Sequence, residues 1–228
     1  MSEYKITPEQ LDKYKKCIND ECKYKYYFTN DEKGENINDE SIFVKSYEHL
    51  KNTLSEEIAK KRYSTLILLV GFSIQPLVLS ISVLKPKKVY LLYSKETNKY
   101  CDKIQNWTEK FFIKNKENVP SFLGKDEWGK SGSQYKVESS NPADTYHKIL
   151  LIVEKDNDGS AIDITGGKKT MVSGAFSLAS LKNIDTYYVD FDEYDGSNPK
   201  PGTEILKLQE NPNEQPRSKL RGILIEQI

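Results

Sequence analysis

A short, nearly unbroken apolar run at residues 63–70 (Tyr-Ser-Thr-Leu-Ile-Leu-Leu-Val) ends at Gly71 and is followed by a proline-opened apolar stretch. A strand with one wet face alternates polar and apolar residues, whereas a strand covered on both faces reads as continuous hydrophobicity. The run therefore predicts a central strand with helices above and below it. Gly71-Phe-Ser-Ile-Gln75 is the turn, and Pro76 opens a helix over residues 77–84. The same grammar repeats downstream. Residues 88–93 read as a strand, and Ser94 and Thr97 suit the cap of a helix over 98–115 that turns Trp107, Phe111 and Phe112 to the core. Residues 117–132 look irregular, with Trp128 either a lid or an anchor, and 133–139 look like a short third strand. Pro142 begins a helix through Ile149, Leu150 and Val153; a strand at 160–164, a helix at 170–181, a strand at 184–190 and an edge strand at 204–208 complete the series. Strands alternating with helices imply βαβ units. The expected fold class is α/β: a Rossmann-like, mostly parallel sheet covered by helices on both faces, with a helical N-terminal extension.

That extension covers residues 1–60. Thr7-Pro8-Glu9 is a helix start, with Leu11, Tyr14, Ile18 and Cys22 spaced along one helical face. Residues 30–40 are a loop by composition, and 43–61 return to helical periodicity through Val44, Tyr47, Leu50, Leu54 and Ile58. The aromatic cluster Tyr24, Tyr26, Tyr27 and Phe28 between them suits core packing better than base stacking. The domain organisation is then an extension at 1–60, a Rossmann domain at 61–210, and a linker or tail at 211–228. The apolar residues of that tail (Ile223, Leu224, Ile225, Ile228) require a partner surface.

Charge narrows the ligand. Lys+Arg and Asp+Glu number 34 each in 228 residues, so the molecule as a whole has no field to draw in a long nucleic acid. Any anion site must be a local concentration of charge, which favours a small ligand. No run approaches the ~18 apolar residues of a membrane span, and residues 1–10 lack a signal-peptide core; a soluble, cytoplasmic protein is expected. Cys17, Cys22 and Cys101 are few and odd in number, which argues against a disulfide framework. With His49 and His147, the first two match no common zinc spacing, so they read as buried thiols. No metal and no cofactor is expected.

The local charge lies at Asp163-Ile-Thr-Gly-Gly-Lys-Lys-Thr-Met171, between the strand at 160–164 and its helix. Adjacent glycines let the chain turn where a Cβ would clash and let amides point outward together. The helix start adds partial positive charge, and Lys168 and Lys169 add two full charges. Such a corner suits a phosphate; an ordinary turn with surface lysines is the plainer alternative. Neither a P-loop nor a G-x-G-x-x-G fingerprint is present. Both this corner and the one at Gly71 would lie at the C-terminal edge of a parallel sheet, where ligands of open α/β folds bind.

Taken together, Gly71-Phe-Ser-Ile-Gln-Pro76, Asp163-Ile-Thr-Gly-Gly-Lys-Lys-Thr-Met171 and Tyr187-Tyr-Val-Asp-Phe-Asp-Glu-Tyr194 resemble a CRISPR-associated Rossmann-fold (CARF) domain over roughly residues 60–210. The most specific part is the pattern Asp-x-Thr-Gly-Gly-x-Lys-x-Met, met by Asp163, Thr165, Gly166, Gly167, Lys169 and Met171. Lys168 departs from it, standing where the family commonly has a small or hydroxyl residue. The resemblance implies a homodimer that binds a cyclic oligoadenylate, a type III CRISPR second messenger of four or six adenylates, across its two-fold axis. The ligand would touch Gly71, Phe72, Ser73, Ile74, Gln75, Thr165, Gly166, Gly167, Lys168, Lys169 and Met171. Residues 211–228 hold no room for an effector, so the controlled activity would belong to a further C-terminal domain or to a partner protein. The alternative is a metal-independent ring nuclease using Lys169, Lys168 and Ser73, although neither corner carries a histidine to act as a base. An unrelated α/β binding protein is the third reading.

Overall fold

A computed structural model describes residues 5–123, 135–156 and 159–211. Four helices come first: α1 (Pro8–Lys16), α2 (Asp20–Thr29), α3 (Ile42–Thr53) and α4 (Glu56–Lys60). The α/β series follows as β1 (Thr65–Leu69), α5 (Gln75–Leu84), β2 (Lys88–Leu92), a 3-10 turn (Asn98–Tyr100) running into α6 (Cys101–Lys114), and β3 (Ser121–Leu123). Then come α7 (Pro142–Lys155), β4 (Ser160–Asp163), α8 (Lys169–Lys182) and β5 (Asp185–Phe191). A small hairpin, β6 (Tyr194–Asp195) with β7 (Asn198–Pro199), precedes β8 (Glu204–Gln209).

The main sheet has the order β3-β2-β1-β4-β5-β8, parallel except for β8, which runs antiparallel to β5 at the edge. This is the expected Rossmann-like fold class. Leu66, Ile67, Leu68 and Leu69 of β1 are wholly buried, as continuous hydrophobicity demands of a central strand. The strand order runs one way from β1 to β3 and the other way from β4 to β5. Right-handed crossovers then place the helices of the two halves on opposite faces: α5 packs on α6 on one, and α7 packs on α8 on the other. Among the described residues no helix is long and apolar enough to cross a membrane.

The N-terminal helices join the sheet's core. Phe28 stacks on Trp107 with ring centroids 4.5 Å apart and planes 10° from parallel, and Phe43 meets Phe111 edge-on at 5.4 Å. The cluster at residues 24–28 lies within α2, not between helices, and serves packing as expected. At the far edge, the fully buried Glu204 of β8 accepts from the Tyr27 hydroxyl at 2.8 Å and from the Gly202 amide at 2.7 Å.

Several expectations are corrected. The single helical face through Leu11, Tyr14, Ile18 and Cys22 is two helices. Asn19 accepts from the Cys22 amide at 2.9 Å and starts α2 afresh, leaving Ile18 98% exposed. That local cap outweighs the periodicity. The break brings the Cα atoms of Cys17 and Cys22 within 5.5 Å, and the two are joined in a disulfide rather than left as thiols. The 43–61 helix is likewise split, because Ser55 caps α4 through the Ile58 amide. The third strand lies at Ser121–Leu123; near 133–139 there is a single parallel bridge, Tyr93 to Lys136. Trp128 and the tail at 212–228 lie outside the described residues.

Candidate functional site

The strand order reverses between β1 and β4, the two central strands, which pair in parallel from Thr65↔Ser160 to Leu68↔Asp163. The turns leaving their C-terminal ends are therefore forced side by side. Their contact is backbone to backbone. A Cβ on Gly71 would lie 1.8 Å from the Gly166 carbonyl oxygen, and one on Gly166 would lie 2.4 Å from the Leu69 carbonyl oxygen. A Cβ on Gly167 would meet the Leu69 side chain at 2.7 Å. Glycine is needed here for close approach, not for an unusual turn.

Asp163 fixes the second corner from beneath. Its Oδ1 accepts from the Thr165 amide at 2.8 Å, while Oδ2 and the Ser80 hydroxyl oxygen of α5 are buried without a hydrogen bond of normal geometry among the described residues. Burial pushes the carboxyl above its ordinary 3.8; the neighbouring Ser80 hydroxyl and the Thr165 amide pull the other way, and burial wins. The Thr165 hydroxyl oxygen accepts from the Val189 amide at 2.9 Å, so its own proton remains for a ligand.

Among the described residues five helices start with a side-chain cap: Thr7, Asn19, Ser41, Ser55 and Asn141 each accept an amide of the following turn. The starts of α5 and α8, which rise from the two corners, carry none. Their first amides and partial positive charge thus face the same point of the sheet edge. Lys168 and Lys169 are exposed beside them. The Lys168 ammonium donates to the Ser139 hydroxyl at 2.9 Å and lies 4.0 Å from Glu96, and the Thr170 hydroxyl donates to the Ser139 carbonyl. Lys169 has no ion pair or side-chain hydrogen bond among the described residues.

The remaining expected residues divide by exposure. Phe72 and Ser73 form the open rim, Phe72 being 57% exposed with its ring edge-on to Tyr100. Ser73 makes no side-chain hydrogen bond among the described residues. Ile74 and Met171 turn wholly into the core and can serve a ligand only through their backbone. Gln75 donates to the Tyr14 hydroxyl at 3.4 Å, so it faces the N-terminal helices. Neither histidine is at the corners: His49 lies 3.4 Å from Asp192, and His147 packs on Tyr146. Glu96, held by the Ser94 hydroxyl and drawn below its ordinary value by that bond, and Ser139 are rim residues that sequence reasoning missed. Glu96 follows β2, and its loop belongs to the same sheet edge, which was the available signal.

No family model and no curated protein matches the chain. Among solved structures it is similar to Can2 from Sulfobacillus thermosulfidooxidans in complex with cyclic tetra-adenylate, at 20% identity and a TM-score of 0.44, over 55% of this chain and 32% of that one. It is also similar to a type III CRISPR defence DNA nuclease activated by cyclic oligoadenylate, at 18% identity and a TM-score of 0.35, over 60% of this chain and 22% of that one. The chain thus spans a third or less of each.

Proposed function

We propose that the paired corners bind a cyclic oligoadenylate of four or six units, and that the chain is the sensing part of a type III CRISPR antiviral effector. The observation that carries this is the backbone contact of Gly71 with Gly166. It brings two helix starts without side-chain caps, and the exposed Lys168 and Lys169, to one point at the switch of strand order. The Gly166 and Gly167 amides and the Thr165 hydroxyl donate to phosphate, the two lysines balance its charge, and Phe72 and Ser73 meet ribose or adenine. A ring of adenylates repeats its phosphates, so a two-fold homodimer presenting each corner twice matches it. Ring binding then controls, allosterically, an activity carried by a further domain or a partner protein in the cytoplasm. Sensing is favoured over ring cleavage because neither corner carries a histidine to act as a general base: His49 lies by Asp192 and His147 by Tyr146.

Calorimetric titration with cyclic tetra-adenylate and cyclic hexa-adenylate, with linear adenylates as controls, tests the reading. One charge-assisted contact is worth about 1.5–3 kcal/mol, so Lys168→Ala/Lys169→Ala should weaken ring binding at least tenfold. Absence of heat from either ring well above micromolar concentration would sink the proposal.

A further inference from the structure

The turn at residues 71–75 is held from behind by the N-terminal helices. The Tyr24 hydroxyl of α2 donates to the Phe72 carbonyl at 2.9 Å, and Tyr14 of α1 accepts from Gln75 at 3.4 Å. Tyr100, edge-on to both Tyr24 (6.4 Å) and Phe72 (6.2 Å), donates to Asp20 at 3.3 Å. Lys103 pairs with Glu21 and sits over the Tyr24 ring. Each helix thus places one tyrosine on the turn, and how firmly they hold it depends on how the helices are fixed to each other. The Cys17–Cys22 disulfide fixes them: Cys17 closes α1 one turn after Tyr14, and Cys22 lies in the first turn of α2, just before Tyr24. Cys17 is 5% exposed, whereas Cys22 is half-buried and reachable by a small thiol.

We propose that this disulfide makes the α1–α2 pair a redox-sensitive clamp on the ligand-binding turn, tight when oxidised and loosened when reduced. This regulation of the site rests on the ring-binding reading, but the clamp itself does not. A dithiol's thiolate attacks the Cys22 sulfur and releases the Cys17 thiolate, which takes up a proton. The second thiol of the reductant then displaces Cys22 and closes the reductant's own disulfide, so the dithiol loses the two electrons that the protein gains. The freed link no longer holds Tyr14 and Tyr24 in one register, and the turn pays an ordering cost when a ligand binds.

Two measurements on the full chain, each in oxidised and dithiothreitol-reduced protein, separate the claims. Hydrogen exchange of peptides spanning residues 71–78 should quicken on reduction, with the β4 strand unchanged. Cys17→Ser/Cys22→Ser should show the fast exchange in both states, and Cys101→Ser, which removes the buried free thiol, should keep the response. Equal exchange in both states of the native chain overturns the clamp, whether or not any ring binds. Titration with cyclic tetra-adenylate and cyclic hexa-adenylate should show at least about fivefold weaker binding after reduction, the lower end of ordinary coupling between sites. Equal affinity in both states overturns the regulation. No binding in either state overturns the ring reading and leaves exchange to decide the clamp.

Discussion

Asp163 illustrates how one buried side chain serves a surface site. Its carboxyl is wholly enclosed and still holds the Thr165 amide, so the corner is set by a group no ligand needs to touch. Burial raises its folded-state pKa above the ordinary 3.8. A raised pKa means that the folded state binds the proton more tightly than the unfolded chain does. Its stabilisation is complete below 3.8 and is lost as pH climbs through the folded value. Asn keeps an acceptor for Thr165 without that charge. The Tm of Asp163→Asn relative to the native protein should therefore rise between pH 3.8 and the folded value, then level off. Thermal melts across pH 3 to 8 check it, and parallel curves would refute it. Glu204 shifts in the same direction, again mainly through burial, but it is common to both proteins and cancels in the difference. The nine-residue motif made Asp163 visible; its burial was not visible, because that depends on α5 and β1 closing over it.

At the scale of elements, the helices and strands of the Rossmann series other than β3 were legible because each has a strong local signal. β1 is continuous hydrophobicity, α7 begins at Pro142 capped by Asn141, and β5 is aromatic and β-branched. The two broken helices share a cause: short-range competition the periodicity does not register. Asn19 and Ser55 restart helices that the apolar spacing would have continued, and the cysteine pairing follows from the first of these breaks. β3 is only three residues and finds its place by pairing with Lys88 to Tyr90 of β2. The helical N-terminal extension packs onto the sheet's helices, with Phe28 on Trp107 tying it to α6. Phe28→Ala should cost about 3–5 kcal/mol, the usual range for deleting a buried ring. Urea unfolding measures it, and a cost below about 1 kcal/mol would mean that α2 is peripheral to the core.

At the scale of the molecule, equal numbers of acidic and basic residues leave recognition to the placement of a few charges. The paired corners supply two lysines and two helix starts, each start worth only about 0.3–2 kcal/mol to an anion. On the proposed reading, tight capture of a ring needs the paired corners twice. Sedimentation with a saturating ring should give a dimer holding one ring. Monomers each holding a ring would show that the two-fold arrangement is wrong even if the ligand is right.

The chain's sequence determined by itself what local chemistry can write: the order of strands and helices, the doubly covered central strand, and two glycine corners with charge beside the second. Tertiary structure alone decided that Gly71 and Gly166 touch, that Glu96 and Ser139 join the rim, and that Tyr14 and Tyr24 brace the first corner. Those contacts span dozens of residues and depend on strand order. Strand order is chosen by how all the buried faces close together, a property of the whole packed molecule that no single segment carries.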